Sequence, residues 1–299
     1  MNFTIATTLD DALAAVAAGA RPVAGGSDLV VGARQGKTPL PDFVVAIDRI
    51  DALGGIDATA NGVRVGALVT HARLEVDPTI VGAYTGLADA SALVGSPSTR
   101  NVGTIGGNVM NASPAMDTGA PLVVLGAEVE LQSTTGSRRV AIGELWTAPG
   151  RTSAQAGELC VAVHLPPRTA KSGSAYVRLE YRRAMEIAVV GAAASVELDS
   201  SGTLVALAVS LTAVAPTIIA VSGTDALLGR AIDAALLAEI AELASQQAAP
   251  ISDLRASDTY RRHCVGVMAR RAVDAAARRA RGESIAVPVN RSLGIGAAS

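Results

Sequence analysis

The sequence predicts an α+β fold: two small α/β lobes that divide near residue 53, then an antiparallel sheet backed by helices from about residue 171. Three observations carry that reading. Through the first 170 residues, short runs rich in Val and Ile alternate with helical patterns and are punctuated by glycine turns. From about residue 172, "AYVRLEYRR", "AVVGAAASVELD" and "LVALAVSLTAV" follow one another as strands, the last two joined by the "SSG" turn at 200–202. Two helical stretches, about 233–247 and 257–281, then close the chain, as expected for a sheet covered by helices. The 299 residues suffice for two domains, placed here at 1–170 and 171–299.

The elements follow in order. Thr8 reads as an N-cap with Asp11 in the first turn; Leu13, Val16 and Ala17 form an apolar stripe, and Gly19 is the stop. "RPVAGGSDL" is a short strand opening into a glycine turn, and "DFVVAIDRI" is a second strand. In the second lobe "NGVRVGALV" is a strand, Thr70 caps a short helix ending before Pro78, and residues 80–93 are helical. "TIGGNVMNASPAMD" reads as another glycine-rich turn leaving a strand. An apolar helix spans about Asp117 to Leu125, then come the strands "AEVELQS" and "LCVAVHLPP", the latter closed by two prolines.

Composition excludes several functions. Hydrophobic residues at 49% and charged residues at 17% describe a globular chain. A formal net charge of −2 gives no general attraction to nucleic acid or to an anionic membrane. The N-terminus lacks a basic segment, Asp10 and Asp11 interrupt its first apolar stretch, and no run of ~18 apolar residues is free of polar breaks. The expectation is a cytoplasmic chain with no nucleic-acid partner and no stable membrane insertion. Aromatic residues are only 2%, so a flat cofactor must be held by backbone and aliphatic groups. Cys160 and Cys264 form no C-x-x-C pair and are expected to be buried structural thiols. They cannot ligate an iron–sulfur cluster or a zinc knuckle, and His71, His164 and His263 are too dispersed for a metal site.

Two nucleotide motifs fail on inspection. "VGARQGKT" has Val31 where a phosphate loop needs glycine, and "GTIGG" is no G-x-G-x-x-G fingerprint. What remains is two glycine pairs, Gly25–Gly26 and Gly106–Gly107, that clear side chains where backbone N–H groups can converge on an anion. Ser27, Thr104, Asn108 and Ser113 add neutral donors, a set that suits a pyrophosphate. Asp117 repels phosphate at close range and suits a ribose hydroxyl. Either pair alone reads more readily as a mere tight turn.

The two segments "AGGSDL" and "STRNVGTIGGNVMNASPAMD" together resemble the FAD-binding (medium) subunit of the xanthine dehydrogenase and carbon monoxide dehydrogenase family of molybdenum hydroxylases. "VGALVTHARLE", "GELCVAVHLPP", "AYVRLEYRRAMEIAVVGAAASV" and "YRRHCVGVMARRAV" extend the likeness over nearly the whole chain. The resemblance implies a two-lobed FAD-binding domain of the vanillyl-alcohol-oxidase-like type and a flavoprotein C-terminal domain. It implies that Ala24, Gly25, Gly26, Ser27, Asp28 and Leu29 wrap the FAD pyrophosphate. Thr104, Gly106, Gly107, Asn108 and Ser113 match the second flavin-contacting loop, and Asp117 the residue on the adenosine ribose. Leu159 and Cys160 fall where aliphatic groups pack near the isoalloxazine. Arg178 stands where relatives place a lysine close to the ring, and Arg183 and Glu186 match an Arg and an Asp on a loop that approaches it.

FAD accepts two electrons and releases them singly, so the resemblance implies an electron-transfer oxidoreductase subunit with no catalytic side chain of its own. Its expected partners are a large subunit with a molybdopterin-type molybdenum cofactor and a small subunit with two [2Fe–2S] clusters, assembled as a dimer of heterotrimers. Two other readings stand beside it: a free-standing FAD-dependent reductase or oxidase, and an assembly subunit without cofactor. The arginines of the last helix (Arg261, Arg262, Arg270, Arg271, Arg278, Arg279 and Arg281) fit a partner-facing or a solvated face equally.

Overall fold

A computed structural model describes residues 2–36 and 39–295; Lys37 and Thr38, which end the failed phosphate-loop match, lie outside the described residues. The first lobe rests on a parallel sheet of order β1-β3-β2. Its elements are β1 (Asn2–Ile5), α1 (Leu9–Ala17), β2 (Arg21–Val23), α2 (Leu29–Arg34) and β3 (Phe43–Ala46). Thr8 caps α1 by accepting from the Asp11 N–H at 3.2 Å. Ala12, Leu13 and Val16 are the residues it buries, while Ala17 is exposed, one position past the face that meets the sheet. β1 is exposed along its length, and at four residues its alternation of Asn2, Phe3, Thr4 and Ile5 is too short to announce a strand.

The second lobe begins with the hairpin β4 (Ile56–Thr59) and β5 (Gly62–Gly66). Six short helices follow: α3 (His71–Leu74), α4 (Pro78–Ala83), α5 (Thr85–Leu93), α6 (Pro97–Val102), α7 (Ile105–Asn111) and α8 (Gly119–Val124). The helical stretch expected over 80–93 is therefore two helices, parted at Tyr84, whose φ of −125° leaves the helical region. Next come β6 (Glu128–Ser133), β7 (Gly136–Ala141), α9 (Ile142–Leu145), β8 (Trp146–Ala148), β9 (Arg151–Thr152) and β10 (Leu159–Leu165). The antiparallel sheet has the order β4-β5-β10-β6-β7, with the apolar β10 at its centre.

The third sheet has the order β11-β12-β13-β14, from β11 (Ser172–Leu179), β12 (Val190–Leu198), β13 (Leu204–Thr212) and β14 (Ile219–Ala220). Adjacent strands are antiparallel, as the consecutive runs predict. α10 (Ala234–Gln247), α11 (Asp258–Ala280) and α12 (Val289–Ser292) complete the chain. α11 packs on β11 and β12 from one side, and α5 and α8 from the other. Covering on both faces explains why β12 is apolar almost throughout instead of alternating. Ala175 and Val177 enter the core beneath α11, while Tyr176 points into the core shared with Leu87 and Leu122.

One ion pair pins these layers. Asp89 of α5 is fully buried; it accepts from Arg279 Nη2 of α11 at 3.0 Å, from the Tyr176 N–H at 3.2 Å and from the Val289 N–H at 2.9 Å. Much of the arginine content of α11 is likewise spent inside the chain. Arg261 is buried and holds Asp253 and the Val189 carbonyl, Arg262 holds the Ala248 carbonyl, and Arg278 holds Glu283. Among the described residues no helix is long and apolar enough to cross a membrane.

Candidate functional site

The two glycine segments, nearly eighty residues apart, meet. β2 ends at Val23 and the chain turns through Gly26, whose φ of +68° belongs to the left-handed region, before α2 begins. A Cβ on Gly25 would lie 1.7 Å from the Val102 carbonyl oxygen, so glycine is what lets the first loop cross the end of α6. Ser27 Oγ lies beside Gly103 at this crossing.

The first loop is rich in uncommitted donors. Among the described residues no hydrogen-bond acceptor takes the N–H of Gly25, Gly26, Ser27 or Asp28, because β2 has ended and α2 has not yet begun. Leu29 opens α2, and Ala24 and Ser27 are half-buried.

The second segment differs from the expected turn after a strand. It follows helix α6, which Ser96 caps and Pro97 starts, and it is itself mostly helix α7. Thr104 caps α7 by accepting from the Gly107 N–H at 3.1 Å. The Ile105 N–H donates to the Val69 carbonyl and the Gly106 N–H to the Ala67 carbonyl, both at 2.9 Å. These donors anchor α7 and are not free for an anion. A Cβ on Gly106 would stand 2.6 Å from Ala67 Cβ, so that glycine serves packing. Gly107 is exposed, and a Cβ there would meet only Thr104 Oγ1, at 3.1 Å.

Around this crossing the remaining residues fall into three places. Asn108 Oδ1 accepts from Thr118 Oγ1, and Ser113 Oγ from the Ala115 N–H at 3.3 Å, which shape the segment leaving α7. Leu159 and Cys160 lie side by side on β10 and face opposite cores. Burial, with Glu130 nearby, pushes the Cys160 thiol up to about 12, so it stays protonated. β10 reaches the second segment through the backbone: the Ala67 N–H donates to the Val161 carbonyl at 3.0 Å, and the Ala67 carbonyl accepts from Gly106.

The third place is a buried charge cluster. Arg178, on β11, is 0% exposed. Its Nη1 donates to Asp117 Oδ2 and its Nε to Glu180 Oε2, each at 2.7 Å, and Nη1 also approaches the Glu186 carbonyl at 3.4 Å. Tyr176 Oη donates to Asp117 Oδ1 at 2.8 Å. Burial opposes the Arg178 charge, and Asp117, Tyr176 and Glu180 outweigh it, so its pKa is raised. Burial and Asp117 lift the Tyr176 hydroxyl well above its ordinary value, which keeps it a donor. Arg183 is exposed, and Glu186 pairs with Arg182 at 3.2 Å on a loop that leans on the approach to α6. There the Met185 N–H donates to the Gly95 carbonyl at 2.8 Å.

His71 joins the site although its sequence context marks it only as background. Its backbone N–H donates to the Gly103 carbonyl at 3.0 Å, and its ring packs under Gly103. It is 1% exposed, Nδ1 is buried with no hydrogen-bond partner among the described residues, and burial together with Arg100 pulls its pKa down to about 4. The imidazole is thus neutral beneath the crossing. Tyr176 and Glu180 also escape sequence reasoning; strand position alone does not reveal that Tyr176 donates to Asp117 or that Glu180 holds Arg178.

A family profile described as the FAD binding domain in molybdopterin dehydrogenase matches residues 1–168, and one described as the CO dehydrogenase flavoprotein C-terminal domain matches residues 174–276. The chain is 31% identical over 283 residues to a putative xanthine dehydrogenase FAD-binding subunit of Escherichia coli strain K12, covering 93% of this chain and 96% of that one. It is 34% identical over 263 residues to the carbon monoxide dehydrogenase medium chain of Afipia carboxidovorans, covering 88% and 90%. Its fold superposes on a chain from a crystal structure of cyanide-inactivated Cu,Mo-CO dehydrogenase with a TM-score of 0.89 at 31% identity, covering 93% and 98%.

Proposed function

The chain belongs to the family of FAD-binding subunits of the molybdopterin dehydrogenases, and from that membership we propose that it holds FAD at the crossing of its two glycine loops. There it relays electrons from the [2Fe–2S] clusters of a small partner subunit to a terminal acceptor. The oxidative hydroxylation itself then belongs to a large partner subunit carrying the molybdenum cofactor. The assembly we propose is a dimer of such heterotrimers.

The observation that carries this reading is the row of N–H groups at Gly25, Gly26, Ser27 and Asp28, which have no acceptor within the described residues. Unpaired main-chain donors are costly once water is displaced, and a pyrophosphate supplies the oxygen acceptors they need. Three further features fit the cofactor. Gly107 leaves its side open instead of being closed by protein. His71, neutral beneath the crossing, adds no charge of its own there. The apolar β10, with Leu159 and Cys160 buried in opposite cores, gives the site a rigid backing in a chain almost devoid of aromatics.

FAD, when bound, supplies two-electron acceptance and one-electron release, the property that joins single-electron clusters to an acceptor. The chain supplies everything else: Gly25 to Asp28 bind, Thr104 and α7 fix the second wall, and the buried cluster around Arg178 stiffens the side toward β11. Cys160, held protonated, contributes packing and no redox thiolate. The test is reconstitution of the purified chain with FAD. Stoichiometric uptake with flavin absorbance at roughly 450 nm supports the proposal, and an absence of uptake ends it. Turnover of an organic substrate by the isolated chain would favour a free-standing reductase instead.

A further inference from the structure

The positions matched in the family imply that Asp117 serves the adenosine ribose and Arg178 the isoalloxazine, the two ends of an extended dinucleotide. Here the two side chains hold one another at 2.7 Å, so they cannot stand at opposite ends of one extended molecule. Their environment decides further. Arg178 is enclosed entirely by protein atoms, and both Asp117 oxygens already have donors, Tyr176 and Arg178. Arg178 is moreover one cation between two carboxylates, Asp117 and Glu180, so it has no surplus positive charge to lend a reduced flavin.

What the guanidinium does is join three segments. Through Nη1 it holds Asp117, at the end of the segment leaving α7. Through Nε it holds Glu180, at the end of its own strand. Through Nη1 again it reaches the Glu186 carbonyl, in the loop whose Met185 N–H is bound to Gly95. That loop is tied to the start of α6 and the Asp117 segment leaves the end of α7, and α6 and α7 meet at the glycine crossing. We propose that Arg178 is a positioning residue that acts on the cofactor site from behind, fixing the α7 segment and the 181–187 loop together, and that it does not touch the flavin ring. Asp117, Glu180 and Tyr176 set its orientation. The inference rests on the FAD-binding reading above.

Arg178→Lys tests it, because an ammonium keeps the charge but lacks the planar fork that spans Asp117, Glu180 and the Glu186 carbonyl at once. Three quantities are read on the purified chain: the dissociation constant for FAD, amide exchange at Met185 in the FAD-free protein, and the midpoint potential and visible spectrum of the bound flavin. The expected result is faster exchange at Met185 and FAD binding weakened by ~10-fold, the scale of one lost charged hydrogen bond, with potential and spectrum unchanged. A shifted potential or spectrum with Met185 exchange unchanged means direct ring contact and overturns the inference. Unchanged FAD binding and unchanged exchange overturn it as well. Should the lysine variant fail to fold, Tyr176→Phe removes only the second donor to Asp117. It is expected to weaken FAD binding several-fold with potential unchanged, and wild-type affinity in it counts against the inference. A wild-type chain that takes up no FAD overturns the proposed function, and this inference with it.

Discussion

Replacing Gly107 with leucine separates the glycine that serves a ligand from those that serve the fold. Gly107 lies in the first turn of α7, exposed, with only Thr104 Oγ1 near a built Cβ, at 3.1 Å. Removing a glycine from a helix gains ~1 kcal/mol in helix propensity. Crowding Thr104 costs at most its capping bond, also ~1 kcal/mol. The two nearly cancel, so Tm should move by less than roughly 4 °C. The leucine side chain, however, projects from the exposed side of α7, into space that the proposed function gives to the pyrophosphate. Losing the pyrophosphate fit should weaken FAD binding by ~100-fold, equivalent to about 3 kcal/mol. Gly25→Ala makes the contrast: its Cβ would sit 1.7 Å from the Val102 carbonyl, so the backbones must part, at roughly 3 kcal/mol or more of stability. Thermal unfolding and FAD titration of the flavin-free protein measure both. Wild-type FAD affinity in Gly107→Leu, or unfolding of that variant as severe as in Gly25→Ala, would refute the reasoning.

Two further outcomes follow from the buried charges. His71 has a folded pKa of about 4 against an ordinary value of 6.5, so the unfolded chain binds more protons between those values and stability falls as pH drops through them. Between pH 7 and pH 5 this group should cost about 2 kcal/mol, a loss that urea unfolding should show in the wild type and find missing in His71→Asn. Arg279→Ala leaves Asp89 buried between α5 and α11 with two main-chain donors but no counter-ion, so it should lower unfolding free energy by roughly 3–5 kcal/mol. Replacing both partners together, as Asp89→Asn with Arg279→Met, should recover part of that loss.

The sequence made some elements legible because their signals are local. Thr8 before an apolar stripe, the runs that became β11, β12 and β13, and the two closing helices are all read from caps and periodicity. Other elements were hidden for physical reasons. α7 contains Gly106 and Gly107, poor helix formers, and exists because Thr104 caps it and the Ile105 and Gly106 N–H groups are fixed by Val69 and Ala67. β7 is largely exposed and charged, so it gives no apolar alternation. Of the site, the glycine pairs were visible as motifs, but their meeting was not: Gly25 and Val102 are joined only by the fold. The resemblance placed Arg178 near the cofactor, while its partners, Asp117 and Glu180, are set by tertiary packing across 61 residues in one case and by strand end geometry in the other.

Above all, the chain is expected to carry FAD within a molybdenum-containing assembly. Purification of the intact complex from its native host, with flavin, molybdenum and iron counted per copy of this chain, measures that directly. The predicted result is about one FAD per chain, retained on this subunit after dissociation, with molybdenum and [2Fe–2S] iron on two co-purifying partners. A solitary chain without flavin or metal-bearing partners would contradict it.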